Sequence, residues 1–171
     1  MARKSVYTIP YKWNREVWIV TSALFVGLVA TILFLIYGFV KGLDRELLYS
    51  LIPLVVILLG LIIGCEGYAP QCLEIGDDRI VVVRRYASVT IHRAEIVSLQ
   101  PLEKKDLRGV IRLCGDGGLF GYVGKYWSKR LGSFSLYATS RSNLFLIKTA
   151  TRGKIVLGCS EPEKILEFWQ E

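Results

Sequence analysis

Metal and redox chemistry have little to work with in this chain. One histidine, one methionine and four cysteines leave little for a multi-ligand metal centre. Cys65, Cys72, Cys114 and Cys159 contain no C-x-x-C pair, so neither a zinc knuckle nor a dithiol redox motif is encoded. The composition, 52% hydrophobic, excludes a disordered segment, a collagen repeat and a small disulfide scaffold. Helices alternating with strands are also missing, which argues against a doubly wound nucleotide fold. The net charge of +7 is mild for 171 residues. It lacks the clustered, strongly basic face that nucleic-acid binding requires.

The first 65 residues hold two apolar runs. Residues 17–40 read VWIVTSALFVGLVATILFLIYGFV, 24 positions without a charge. As a helix they extend roughly 36 Å, enough to cross a hydrocarbon core of about 30 Å. Residues 47–65 read LLYSLIPLVVILLGLIIGC, 19 uncharged positions reaching roughly 28 Å. Pro53 is expected in the second turn of this helix, where a lost hydrogen bond costs little. Neither run has the polar stripe of a surface helix, which argues against a hairpin buried in a soluble core. The first run is too long for a signal-peptide core of about 7–15 residues and lacks a small-x-small cleavage site.

The six-residue linker 41–46 forces an antiparallel hairpin, so both chain ends face one compartment. Arg3, Lys4, Lys12 and Arg15 precede the first run, and Arg79, Arg84 and Arg85 follow the second. In the linker, Lys41 and Arg45 are offset by Asp44 and Glu46. This bias is expected to place both termini in the cytoplasm. Tyr11, Trp13 and Trp18 suit an interfacial aromatic belt. The chain divides into a cytoplasmic tail at 1–16, spans at 17–40 and 47–65 joined by 41–46, and a domain at 71–171.

Seven short strands are expected in that domain: 72–75, 79–85, 88–91, 96–100, 134–138, 143–148 and 154–157. GDD at 76–78, TSRS at 139–142 and TRG at 151–153 supply turns. A helix follows, with Ser160 and Glu163 as a capping box, Pro162 in the first turn, and Ile165, Phe168 and Trp169 on one face. A curved sheet closing into a barrel, plugged at one end by the helix, accommodates this series.

That order of strands and helix resembles the pleckstrin-homology (PH) superfold. LEIGDDRI at 73–80, GDGGLFGY at 115–122, YATSRSNL at 137–144 and GKIV at 153–156 resemble the bacterial PH-like domains found behind paired membrane helices. The resemblance covers residues 71–171 together with the hairpin. It implies an α+β membrane protein: a two-helix transmembrane hairpin, then a PH-like β-barrel of about seven strands and a C-terminal helix. The superfold hosts unrelated roles, so the resemblance implies binding rather than a particular ligand. Phosphoinositide-binding members use a basic first hairpin loop; here that loop, Gly76-Asp77-Asp78, is acidic and short.

The segment 115–130, GDGGLFGYVGKYWSKR, stands out. Its five glycines are expected to loosen the backbone. Leu119, Phe120, Tyr122, Tyr126 and Trp127 add apolar and aromatic surface, and Lys125, Lys129 and Arg130 add charge. Aromatics interleaved with cations suit a headgroup boundary, so these eight residues are the candidate contacts to membrane or partner. The competing reading is a long loop folded over the barrel with its aromatics in the core. The segment lacks the strand–turn–helix context and Lys-Ser/Thr ending of a phosphate loop.

The cysteines are expected to be reduced, small, buried hydrophobes. His92 is expected at a surface or strand end, and Asp77, Asp78 and Asp116 in turns. Arg84-Arg85 and Lys104-Lys105 read as solvated faces able to touch anionic lipid. No catalytic, cofactor or metal residues are identified. The expected function is a non-enzymatic, membrane-anchored PH-like binding or scaffold protein, with the bilayer as one partner and a membrane protein as another. Gly27, Ala30 and Gly60 permit close helix packing against such a partner. Nothing in the sequence requires a homo-oligomer. The alternative is an enzyme acting on lipid or at the membrane surface, without a recognisable motif. A small transporter is disfavoured by two spans without polar residues to line a path.

Overall fold

A computed structural model describes residues 6–170. Arg3 and Lys4 of the tail lie outside them. Strand β1 (Tyr7–Pro10) precedes two long helices, α1 (Arg15–Lys41) and α2 (Arg45–Tyr68). Then come β2 (Pro70–Ile75), β3 (Arg79–Arg84), β4 (Val89–His92) and β5 (Ile96–Leu102). The chain continues through β6 (Ile111–Gly117), β7 (Tyr122–Ser128), β8 (Gly132–Ala138), β9 (Leu144–Thr149) and β10 (Gly153–Gly158) to α3 (Pro162–Gln170).

Local chemistry sets the helix ends. The Asn14 side chain caps α1 by accepting the Val17 N–H at 2.9 Å, and Asp44 caps α2 through the Glu46 N–H at 3.0 Å. Gly42 ends α1 at φ 67°, a conformation open to glycine without cost, and only Gly42 to Asp44 separate the helices. Because α2 begins at Arg45, Pro53 falls in its third turn rather than its second, and the helix continues through it. The helices meet along Leu24, Leu28, Ile32, Val55, Leu58 and Ile62, and most of their remaining surface is bare. Each is long and apolar enough to cross a membrane, with mean hydropathy 2.7.

The strands form two sheets, a meander β1-β2-β3-β4 and a six-stranded sheet ordered β5-β9-β10-β8-β7-β6. All seven expected strands are present, but the barrel is not closed. Among the described residues no ladder joins the sheets; they pack face to face. Three strands escaped the sequence reading. Part of the expected tail is β1, antiparallel to β2 from Tyr7↔Ile75 to Pro10↔Cys72. The segment expected as a loose loop is the β6–β7 hairpin. These additions widen both sheets into stacked layers. The turn at 139–142 does not make a hairpin either: β8 runs parallel to β10, which lies between β8 and β9.

The first core lies between the sheets, with Leu73, Ile75, Ile80, Val82 and Ile91 facing Phe145, Ile147, Ile155 and Leu157. Ile165 and Phe168 of α3 close one side, as their spacing implies. The Ser160 hydroxyl, expected to cap α3, donates instead to the Pro10 carbonyl of β1 at 3.3 Å. On the far face of the larger sheet, Leu144, Leu146 and Val156 join Tyr122, Tyr126, Phe134 and Leu136 in a second core. Strands β9 and β10 are thus buried on both faces, which explains their unbroken apolar runs.

Gly115 and Gly124 are partners across β6 and β7, at φ 116° and 139°. A Cβ on Gly115 would stand 2.1 Å from the Val123 carbonyl oxygen, and one on Gly124 2.1 Å from that of Cys114. These glycines permit close strand contact rather than a loose chain. Alanine at Gly124 is expected to cost about 1–3 kcal/mol or more, through backbone overlap and a strained φ. Alanine at Gly27, which has nothing within 4 Å of its Cβ position, is expected to leave stability unchanged or raised. Thermal midpoints of the detergent-purified proteins check both.

Candidate functional site

The β6–β7 hairpin tip is the place where domain and helices interlock. Asp116 accepts the Leu119 N–H at 2.9 Å and tightens the turn, while the Tyr126 hydroxyl donates to the Asp116 carbonyl at 2.5 Å. The turn holds Phe120 at φ 62°, rare for a large side chain, and drives its ring toward the helices. There it meets Trp13 edge-on at 5.7 Å and Phe25 at 6.3 Å. Its N–H donates to the buried Thr21 hydroxyl of α1 at 3.1 Å, so two polar groups enclosed at this contact match each other. Leu119 and Phe120 join Leu28, Ile62 and Ala69 in a third apolar cluster between the two helices.

Beside this wedge, the Tyr122 hydroxyl donates to Glu16 Oε2 at 2.6 Å, in the first turn of α1. The Arg141 guanidinium lies 4.8 Å from the Tyr122 ring centre, with Nε 3.8 Å from the same carboxylate oxygen. Burial and the neighbouring Glu16 push the Tyr122 hydroxyl above its usual pKa, and burial pushes that of Tyr126 up to about 12. Burial also raises the Asp116 carboxyl, against the backbone N–H groups of the turn that favour its charge. These two tyrosines act as hydrogen-bonding neutral groups, not as bases.

A second joint lies where α2 enters the sheet. Only Ala69 separates Tyr68 from β2, and the Tyr86 N–H donates to the Gly67 carbonyl at 3.1 Å. Gly67 has no room for a Cβ against the Tyr86 ring. Arg84 places its guanidinium 5.7 Å from Tyr68 and 5.3 Å from Tyr137, and Arg85 pairs with Glu66 at 2.9 Å. Both residues, expected as a solvated basic face, are engaged at this joint. Tyr11 also leaves the expected aromatic belt: it packs against the first core, while Trp18 stays exposed.

Of the eight candidate contacts, the fold turns Phe120, Tyr122 and Tyr126 inward and half-buries Leu119. Lys125, Trp127, Lys129 and Arg130 remain exposed, with Arg130 paired to Asp106. Glu16, Thr21, Arg112 and Arg141 belong to the same neighbourhood but carry no sequence motif. Glu16 alone had a signal, as the single acidic residue ahead of the first apolar run.

Elsewhere little converges. His92 is exposed at the end of β4, as expected. Among the described residues no three His, Cys, Asp or Glu side chains gather. All four cysteines are free, but Cys114 is exposed, because β6 is an edge strand rather than a core one. Only Cys159 is fully buried, where burial pushes its thiol up to about 11.

Two packed sheets with a C-terminal helix, behind a pair of apolar helices, define a PH-like module carried on a helical hairpin. The family model described as Bacterial PH domain matches residues 72–171, more than half of the chain, and the chain belongs to that family. No curated protein and no solved structure matches it.

If Phe120 is the wedge, Phe120→Ala is expected to cost about 3–5 kcal/mol where the ring is lost from packed surroundings. Thr21→Val, which strands one buried N–H, is expected to cost about 1–3 kcal/mol. Both should speed hydrogen exchange at residues 118–122 before the strand amides of β9 and β10 respond.

Proposed function

We propose that this protein is a membrane-anchored binding module: a bacterial PH domain held at the inner face of the cytoplasmic membrane by its helical hairpin, acting without catalysis. The supporting observation is the bareness of the helices. Only 11% of the most apolar 18-residue window of each is buried, whereas the core helix of a soluble protein would be covered. Lipid is the solvent that such surfaces fit. The exposed side chains Lys125, Trp127, Lys129 and Arg130, with Leu119 at the tip, form the proposed contact surface for lipid or partner. Gly27 and Gly60 leave open space on the helices, which supports an accessory-subunit role beside a larger membrane protein.

Alkaline carbonate washing of membranes is expected to leave the full-length protein in the pellet; release into the supernatant would remove the anchoring reading. Cys114 then reports orientation. In intact spheroplasts a membrane-impermeant maleimide should spare it, and permeabilisation should expose it to label within minutes. Cys159, buried and protonated at neutral pH, should label only after denaturation. Labelling of Cys114 in unbroken cells would place the domain outside.

A further inference from the structure

A cavity of about 460 Å³ opens on the far face of the six-stranded sheet, within the range of small-ligand sites. Leu136 and Leu144 form an apolar floor, Tyr122 and Tyr126 form a wall, and Arg112 and Arg141 contribute the charge. The two acids nearby attract these arginines but are each held by other donors as well: Glu16 Oε2 lies 3.8 Å from Arg141 Nε, and Asp116 interacts electrostatically with Arg112. Asp116 is held by the N–H groups of Gly117, Gly118 and Leu119, and Glu16 receives the Tyr122 hydroxyl. Arg112 has no carboxylate within 4 Å among the described residues. Its guanidinium lies against Gly117, in space that a Cβ there would fill at 2.4 Å from Nη1. Arg141 rests on the Tyr122 ring, exposed and loosely held.

Two guanidiniums above an apolar floor match a group with a phosphate at one end and a carbon body at the other. One rim, at Tyr122 and Arg141, adjoins the first turn of α1, where phospholipid headgroups lie if the helices span the membrane. We propose that this cavity binds an anionic phosphate ester, with Arg112 and Arg141 as its ligands. The site lies away from the acidic 76–78 loop and depends on the additional strands β6 and β7. Its assignment to a lipid headgroup rests on the anchored reading; its assignment to a phosphate ester does not.

The test uses the full-length protein in neutral detergent, titrated separately with short-chain phosphatidylglycerol, short-chain phosphatidylcholine and inorganic phosphate, with thermal midpoint as readout. Phosphatidylglycerol is expected to raise the midpoint saturably, and phosphatidylcholine to do little. Tighter binding of phosphatidylglycerol than of phosphate assigns the site to lipid, and comparable binding assigns it to a free phosphate group. Arg112→Gln, which removes no described hydrogen bond or ion pair, is expected to keep the unliganded midpoint and weaken binding about tenfold. Adding Arg141→Gln should abolish it. The proposal is overturned if neither anion binds, if phosphatidylcholine matches phosphatidylglycerol, or if the folded Arg112→Gln protein binds as tightly as the parent. Carbonate extraction decides the anchored reading independently.

Discussion

Everything in this molecule hangs on a ring forced between two helices. Phe120 sits in a backbone conformation that costs energy for a side chain with a Cβ. It is held there by the turn that Asp116 closes on the Leu119 N–H, by the Thr21 hydroxyl on its own N–H, and by Trp13 and Phe25 against the ring. Without that insertion the apolar cluster between helices and hairpin would lose its central ring, leaving the Tyr122–Glu16 hydrogen bond and the Tyr86–Gly67 joint to hold helices and domain together. With it, the apolar surface of the helices continues into the domain as one packed unit.

The sequence was most legible where a single physical signal dominated. Uncharged length revealed both helices, turn residues revealed seven strands, and the spacing of Ile165, Phe168 and Trp169 revealed the face of α3. It was least legible where pairing is non-local. Tyr7–Pro10 is too short to read as a strand until β2 is beside it. Parallel pairing of β8 with β10 leaves no trace at the turn between β8 and β9. The glycines at 115 and 124 read as slackness because a pair of glycines facing each other across a ladder cannot be distinguished, in one dimension, from two glycines in a loop.

The same limit applies to the candidate site. Aromatic and basic residues at 119–130 fall on and beside one hairpin, yet strand alternation divides them between inside and outside. Their inner partners come from distant positions: Glu16 and Thr21 on α1, Arg141 after β8. None of these belongs to a motif, since each is defined by what the hairpin brings to it. Membership in the bacterial PH family supports a binding role and leaves the ligand to the chemistry of particular side chains.

The β1–β2 ladder has a mechanical consequence. Strand β1 enters α1 and α2 leaves into β2, and these two strands are bonded to each other along four residue pairs. The helices are therefore clamped at their shared base like the legs of a pair of tweezers. A flexible tether of n residues would let a domain roam about 5–6 Å × √n from its anchor. A single alanine between α2 and β2 grants no such radius. Any tilt imposed on the legs therefore turns the domain through the same angle, instead of being lost in a slack connection.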